Sequence, residues 1–240
     1  MNAITYKLIN DDCVNAMKNI ADNSVDCIIA DLPYYKVVEA DFDNQWNDID
    51  GYLNFIGDCI FQCNRILKEN GSIFLFTSRQ MNRYVCAILD MFFTEQRIII
   101  WARKRAFNTT RGGALASGYE PIAYYCKGNK PTFNNIKIKP DTKRKEYTEG
   151  ILKDGITMSD VWNDISALPH NSKERVAHPT QKPVALMKRI VEQFTNENDT
   201  ILDFCMGSGS TGVACKELNR NFIGIEINEE YFKIAEERMK

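Results

Sequence analysis

The sequence lacks the residue patterns on which several classes of protein depend. Its 240 residues include only two histidines, and its eight cysteines form no Cys-x-x-Cys pair, so the pattern favours neither a zinc site nor a disulfide framework. No window approaches the ~18 consecutive apolar residues of a membrane helix, and MNAITYKLIN at the start lacks the apolar stretch of a signal peptide. We therefore expect a soluble intracellular protein with reduced thiols and no metal site.

What the sequence does contain is a core and an uneven distribution of charge. Apolar residues make up 44% of the chain, enough for one domain with a small insert. The formal net charge is −2, yet residues 101–192 hold 17 Lys and Arg against 9 Asp and Glu, a net of +8, and the remainder holds 13 against 23, a net of −10. A basic segment in an acidic body is typical of nucleic-acid contact, although a solvated charged surface gives the same pattern.

Strands alternate with helices along most of the chain. VDCIIAD predicts a strand buried on both faces, and the spacing of apolar residues from Tyr52 to Leu67 predicts a helix that Asn70-Gly71 stops. From about residue 128 to 175 the apolar pattern dissolves, and we expect no contribution to the core from there. The order predicts an α/β fold of the Rossmann-like, doubly wound type with a mostly parallel sheet. Ligands collect at the carboxyl ends of such strands, where Asp31, Asp203 and Glu226 stand.

A glycine loop follows one of these strand ends. In DFCMGSGSTG, residues 203–212, the glycines permit a tight turn, and a helix N-terminus after them offers free N–H groups to a ligand. Gly207, Gly209 and Gly212 also satisfy G-x-G-x-x-G, with Glu226 placed to accept from a ribose hydroxyl, so a nicotinamide oxidoreductase competes. Because only 28 residues follow Gly212, strands from the start of the chain must complete the sheet. A plain turn without a ligand also stays open.

Three stretches, in this order, carry a resemblance to one family. They are Asp31-Leu32-Pro33-Tyr34, His178-Pro179-Thr180-Gln181-Lys182-Pro183, and Asp203 to Thr211 with Glu226. The ordered set resembles the permuted, beta-class DNA amino-methyltransferases, which use S-adenosylmethionine to methylate N6 of adenine or N4 of cytosine. The resemblance implies a circularly permuted fold with a catalytic half at 1–128, a small target-recognition insert at 129–175 and a cofactor-binding half at 176–240.

The resemblance also implies the roles of individual residues. The implied catalytic residues are Asp31, Leu32, Pro33 and Tyr34. The implied cofactor-binding residues are Asp12, Asp31, His178, Thr180, Lys182, Asp203, Cys205, Gly207, Ser208, Gly209, Thr211 and Glu226. Two positions depart from the family, which usually has Pro at Leu32 and Phe at Cys205. Thr180 and Pro183 also fit a helix cap and a first helical turn.

The strand-end motif suits chemistry on an exocyclic amine. Such an amine is a poor nucleophile because its lone pair is delocalised into the ring. The Asp31 side chain and the Leu32 carbonyl, fixed by Pro33, would hold both N–H groups and free that lone pair for in-line attack on a sulfonium methyl group. A base inside a duplex must be flipped out, and Tyr34 is the predicted stacking surface; for its neighbour Tyr35, stacking and packing at the strand end both stay open.

The basic segment is then predicted to bind double-stranded DNA. The implied DNA-binding residues are Arg103, Lys104, Arg105, Arg111, Lys137, Lys139, Lys143, Arg144 and Lys145. An aspartate in the motif favours adenine by resemblance, and no cysteine follows a proline, which disfavours C5-cytosine chemistry. Cytosine N4, RNA and a protein amide stay open as acceptors, as does a DNA-binding module with an inactive pocket. A homodimer and a separately acting restriction endonuclease are allowed as partners, in the cytoplasm of a prokaryote or from a phage.

Overall fold

Strands and helices alternate through the parts of the chain that the computed structural model describes. These are residues 3–107, 115–138 and 155–240, with the side chains of 104–107 excepted. In these ranges the strands are β1 (Tyr6–Asn10), β2 (Val25–Asp31), β3 (Leu67–Phe76), β4 (Thr94–Phe107), β5 (Ser117–Cys126), β6 (Val161–Trp162), β7 (Thr200–Asp203) and β8 (Asn221–Glu226). The helices are α1 (Cys13–Lys18), α2 (Asp41–Asn44), α3 (Ile49–Ile66), α4 (Asn82–Leu89), α5 (Val184–Phe194), α6 (Ser210–Glu217) and α7 (Glu229–Met239). No helix within them is both long and apolar enough to cross a membrane.

The described strands form one sheet in the order β1-β8-β7-β2-β3-β5-β4-β6. Five of the seven neighbouring pairs are parallel, and β5 runs against both of its neighbours. The C-terminal strands β7 and β8 lie between the N-terminal strands β1 and β2, so the end of the chain completes the sheet from within. The predicted mostly parallel α/β sheet is confirmed, and its carboxyl edge gathers the ends of β1, β2, β7 and β8.

Two hydrophobic cores cover the two faces of the sheet. Successive side chains of a strand point to opposite faces, so Ile28 and Ala30 of β2 pack with α1, α3 and α4. Cys27 and Ile29 face α5, α6 and α7 on the other side. Burial on both faces explains why VDCIIAD reads as a continuous apolar run, and it fixes the end of β2 at the rim of the sheet.

Helix α3 ends earlier than its sequence predicts. It stops at Ile66 and β3 begins at Leu67, so the prediction that Asn70-Gly71 ends the helix is wrong. Asn70 instead takes a positive φ of 65° inside β3, where the pairing with β2 jumps from Val25↔Leu67 to Cys27↔Ser72. A Cβ on Gly71 would stand 2.8 Å from the Leu67 side chain. The Asn-Gly pair therefore forms a strand irregularity, because only such residues fit this tight backbone.

The segment between 128 and 175 does contribute to the core, contrary to expectation. Strand β6 pairs in parallel with β4, and its Trp162 is only 2% exposed in the core on the α5 side. A two-residue strand is too short for periodicity to reveal.

Helix α5 also begins differently from the prediction that Thr180 caps it. Val184 is its first residue, and the Glu174 carboxylate, rather than Thr180, accepts the Val184 N–H at 2.7 Å.

Candidate active site

Hydrogen bonds hold the backbone of the strand-end motif and leave one carbonyl available. The Leu32 N–H donates to the carbonyl of Phe76 at 3.2 Å, and the Tyr52 hydroxyl donates to the carbonyl of Pro33 at 2.8 Å. Within the described residues, the carbonyl of Leu32 accepts no hydrogen bond. The two acceptors predicted to hold an amine, the Asp31 carboxylate and this carbonyl, thus come from a rigid backbone at the rim of the sheet.

Asp43, which sequence reasoning missed, anchors the loop after the motif. Its carboxylate is fully buried and accepts the backbone N–H of Tyr34, together with those of Val37 and Val38 at 2.7 Å each. Three charge-assisted hydrogen bonds to one carboxylate bind strongly. They hold a loop in which Tyr35 has a positive φ of 60°. No local signal separates Asp43 from the exposed acid Asp41, so the sequence offered no means of finding it.

Beside the motif, the side chains of Asp31, Tyr34 and Lys182 form a buried polar cluster with Glu120 and Arg103. The Lys182 ammonium lies 2.5 Å from Asp31 Oδ2 and 2.7 Å from the Tyr34 hydroxyl oxygen. The Tyr34 hydroxyl is 2.9 Å from Asp31 Oδ1 and 3.1 Å from Glu120 Oε2, and Arg103 pairs with Glu120 Oε1. Two carboxylates and one ammonium thus share one tyrosine hydroxyl, and Arg103 joins the cluster through Glu120.

Burial sets the protonation chemistry of this cluster. Burial lowers the pKa of Lys182, and the Asp31 carboxylate opposes that effect. Burial, with Asp31 adding to it, raises the pKa of Tyr34 well above its usual value, so the phenol stays protonated. Lys182, which the sequence assigns to the cofactor, thus forms an ion pair with Asp31, the predicted catalytic carboxylate.

The glycine loop surrounds another buried acid, Asp203. Asp203 ends β7, accepts the Thr211 hydroxyl at 2.6 Å and the Cys205 N–H at 3.1 Å, and burial raises its pKa to about 7. Gly207 has a φ of 49°, and a Cβ there would stand 2.8 Å from the His178 ring. Glycine at this position thus takes the positive φ and lets the His178 ring pack against the backbone of the loop.

Glu226 joins the glycine loop to the end of β8. Its two carboxylate oxygens accept the N–H of Gly207 and the N–H of Asn228, each at 2.9 Å, and burial raises its pKa. Each oxygen keeps a lone pair for another donor. Asp12, at the end of β1, caps α1 by accepting the Asn15 N–H at 2.9 Å.

An open cleft of about 130 Å³ adjoins these groups, and a smaller cavity of about 30 Å³ continues it under the glycine loop. Phe42, His178 and Tyr231 line the cleft, and the His178 ring lies 4.5 Å from the Tyr231 ring, centroid to centroid. Burial, then the charges of Lys182 and Arg238, lower the pKa of His178 to about 4, so its ring is neutral at pH 7. Its Nδ1 is buried with no hydrogen-bond partner among the described residues.

The structure brings nearly all of the predicted site residues to these two cavities. All four predicted catalytic residues line the cleft. The predicted cofactor residues line one cavity or the other, with the exception of Gly209. Gly209 has a φ of 78° before α6, and a Cβ there would meet Ala235 at 3.0 Å. Its part is to form the turn. The individual roles assigned to these residues stay predictions.

The predicted DNA-binding residues are less well placed. Arg103 pairs with Glu120, and the Lys137 ammonium donates to the Thr157 hydroxyl at 2.7 Å. Lys104 and Arg105 belong to β4, but their side chains lie outside the described part. Outside the described residues altogether lie Arg111, Lys139, Lys143, Arg144 and Lys145.

A mostly parallel sheet with a glycine loop, a half-buried acid at the next strand end and an Asp-Leu-Pro-Tyr turn beside the cleft is the arrangement expected of a Rossmann-like amino-methyltransferase. Comparison with known proteins then identifies the family. The DNA methylase family of N6 and N4 enzymes matches residues 25–237, and the chain belongs to it.

Similar proteins span nearly the whole chain. The type II methyltransferase M.HpaI of Haemophilus parainfluenzae is 34% identical over 97% of this chain and 74% of its own length. The DNA adenine methyltransferase YhdJ of Escherichia coli K12 is 31% identical over 97% of this chain and 82% of its own. The crystal structure of the M1.HpyAVI–SAM complex is 26% identical, with a TM-score of 0.71 over 98% of this chain and 100% of that one.

Proposed function

We propose that this chain transfers the methyl group of S-adenosylmethionine to the N6 amine of adenine in duplex DNA. The observation that carries the proposal is the pair of acceptors, Asp31 and the Leu32 carbonyl, held at the mouth of the cleft beside the glycine loop. Two further facts support adenine: the motif begins with aspartate, and the similar protein YhdJ is named an adenine methyltransferase.

The residues around the two cavities fit S-adenosylmethionine. Gly207 and His178 line both cavities, and the unpartnered Nδ1 of His178 offers the cofactor a polar contact. Glu226 would hold the ribose hydroxyls, and in the smaller cavity Asp203 would hold the amino group of the methionine portion.

Cofactor affinity is expected to rise with pH between 5.5 and 7.5. Since the pKa of Asp203 is raised to about 7, this carboxyl is largely protonated in the empty protein below that pH. A positive amino group beside it favours the charged form, so binding releases a proton and tightens by up to about tenfold per pH unit below the pKa. Titration calorimetry in two buffers measures both effects. Asp203→Asn should bind more weakly at pH 7.5 and lose the pH dependence.

In the proposed reaction the chain positions the amine and offsets its charge. The bound cofactor supplies an electrophilic methyl group on a positive sulfonium sulfur. Asp31 and the Leu32 carbonyl accept the two N–H groups, which directs the nitrogen lone pair toward the cleft. As the nitrogen–methyl bond forms and the sulfur–methyl bond breaks, the Asp31 carboxylate stabilises the positive charge on the nitrogen, which then loses one proton to solvent.

Tyr34 is the proposed stacking surface for the flipped base. Its ring lines the cleft, but only 8% of the residue is exposed, and Lys182 lies 5.3 Å from the ring centre. Stacking against its face therefore requires the side chains of the polar cluster to move.

Leu32→Pro should leave kcat within about fivefold of the natural protein, because Leu32 acts through its carbonyl alone. The change removes the N–H that donates to Phe76 at 3.2 Å, so it should cost about 1 kcal/mol of stability. Steady-state kinetics and thermal unfolding measure the two effects separately. A loss of activity as large as that of Asp31→Ala would show that the role of this loop is misassigned.

Methyl transfer to unmethylated DNA, followed by identification of the modified nucleoside, tests the function directly. Purified protein is incubated with labelled S-adenosylmethionine and unmethylated bacterial DNA, and the product is digested to nucleosides. The expected product is N6-methyldeoxyadenosine. N4-methyldeoxycytidine would identify the other amine as target, and label on RNA or protein would change the acceptor. Thermal stabilisation by NAD but not by S-adenosylmethionine would contradict the proposal.

The proposal extends to organisation and partners. The chain would act in a prokaryotic or phage-infected cytoplasm, where its DNA is, with residues 129–175 as the target-recognition insert between the catalytic and cofactor halves. The type II name of M.HpaI supports a restriction–modification setting with a separate endonuclease. A homodimer is testable by sedimentation. Modified-base sequencing of host DNA with and without the gene would give base and recognition site together.

A further inference from the structure

Glu120 is a buried carboxylate that neither the sequence motifs nor the proposed reaction accounts for. It is 9% exposed on β5, which runs antiparallel and so brings its early residues to the carboxyl edge of β3. Its Oε1 pairs with Arg103, while its Oε2 accepts the Tyr34 hydroxyl at 3.1 Å and lies 3.5 Å from the Lys182 ammonium. Glu120 thus faces the same ammonium as Asp31, at 3.5 Å compared with 2.5 Å for Asp31.

The Lys182–Asp31 ion pair opposes the proposed chemistry. The Lys182 side chain is 5% exposed and that of Asp31 20%, so water screens their interaction weakly. While the ammonium stays 2.5 Å from Asp31, the negative charge of the carboxylate is balanced. Methyl transfer then creates a second positive charge beside the same carboxylate. One carboxylate offsets one of these charges, so the ammonium must find another counter-ion.

We propose that Glu120 is a positioning residue for methyl transfer: it receives the Lys182 ammonium when the target amine takes its place beside Asp31. The inference rests on the proposed function, because it requires an amine at Asp31. The two ions are already 3.5 Å apart, so a side-chain movement completes the exchange. The Tyr34 hydroxyl contacts both carboxylates and the ammonium, so it would remain a partner of the ammonium on either side of the exchange.

The exchange leaves the total charge of the cluster unchanged, because its two carboxylates are matched by Lys182 and Arg103 throughout. Glu120 uses separate oxygens for its two cations, so Arg103 keeps its partner while Oε2 accepts Lys182. The groups that face the ammonium are Asp31 on β2, Tyr34 in the following loop, Arg103 on β4, Glu120 on β5, Asp203 on β7 and His178 in the loop before α5.

Glu120→Gln tests the proposal. The amide keeps the size of the side chain but loses its charge, so Lys182 stays on Asp31. We expect kcat to fall about 10- to 100-fold, the worth of a hydrogen bond to a buried charge. Among the described residues Glu120 lines neither cavity, so the Kd for S-adenosylmethionine should stay within about twofold. Glu192→Gln, an exposed change on α5, is the matched control and should keep the natural kcat.

A second variant separates positioning from a structural role. Adding Lys182→Met to Glu120→Gln removes the locked ammonium, so kcat at saturating cofactor should exceed that of Glu120→Gln alone by about fivefold or more. If Glu120 only supported the fold, the double variant would be as slow or slower, and that result would overturn the proposal. A wild-type protein that transfers no methyl group would instead refute the proposed function.

The pH profile gives an independent readout. Burial already lowers the pKa of Lys182, and loss of the neighbouring negative charge lowers it further. A neutral Lys182 no longer balances Asp31, so the kcat deficit of Glu120→Gln should shrink as pH rises from 7 to 9.5. A deficit that stays constant over this range would count against the exchange.

Discussion

Asp31→Ala should lower methyl transfer by about 10²- to 10³-fold or more, the size of effect seen when a preorganised polar contact to developing charge is lost. The substitution removes both the acceptor for one amine N–H and the negative charge that stabilises the methylated nitrogen. The Leu32 carbonyl stays in place because its backbone is held from Phe76 and Tyr52. Single-turnover transfer at saturating DNA and cofactor measures the effect on the chemical step.

Asp31→Asn is the control for this prediction. Its amide oxygen still accepts one N–H, but it carries no charge, so its rate should lie between those of the natural protein and Asp31→Ala. Cofactor binding by both variants should stay within about fivefold of the natural protein, because the glycine loop and Glu226 are untouched. Full transfer activity in Asp31→Ala would refute the mechanism, and loss of cofactor binding with activity would point to a binding role instead.

Sequence predicts the parts of this fold that repeat a pattern over several residues. The continuous apolar run before Asp31 and the spacing of apolar residues in α3 are long enough for periodicity to identify strand and helix. It fails where one or two residues decide the outcome. Asn70-Gly71 resembles a helix stop but forms a strand irregularity. Trp162 is buried in the core, but its strand is only two residues long and shows no periodicity.

The candidate site divides in the same way. Motifs predicted Asp31, the glycine loop and Glu226, because each is a local string of residues with its own chemistry. The polar cluster depends on pairing between strands and loops far apart in sequence: Lys182 meets Asp31 across 151 positions and Tyr34 meets Glu120 across 86. A short sequence motif contains no information on such long-range contacts. Sequence analysis therefore does not identify Glu120, and it assigns Lys182 to the cofactor alone.

Asp43→Ala should both destabilise the protein and slow its chemistry. The buried carboxylate is the acceptor for three backbone N–H groups, those of Tyr34, Val37 and Val38. Removing it leaves three donors without a partner, at a cost of about 3–5 kcal/mol after water replaces part of the interaction. The melting temperature should fall by about 6–20 °C for a chain of this size.

The kinetic effect distinguishes an anchor of the reaction centre from an ordinary loop contact. Because the Tyr34 N–H is one of the three donors, relaxation of this loop shifts the Leu32 carbonyl and the Tyr34 ring, and kcat should fall about 10- to 100-fold below the unfolding temperature. Asp43→Asn keeps one acceptor oxygen and should lose less of both properties. The matched control is Asp41→Ala, an exposed acid in the same short helix, which should change stability by no more than about 0.5 kcal/mol. A destabilised Asp43→Ala protein with the natural kcat would show that Asp43 supports the loop without positioning the motif, because the two acceptors would then be held by Phe76 and Tyr52 alone.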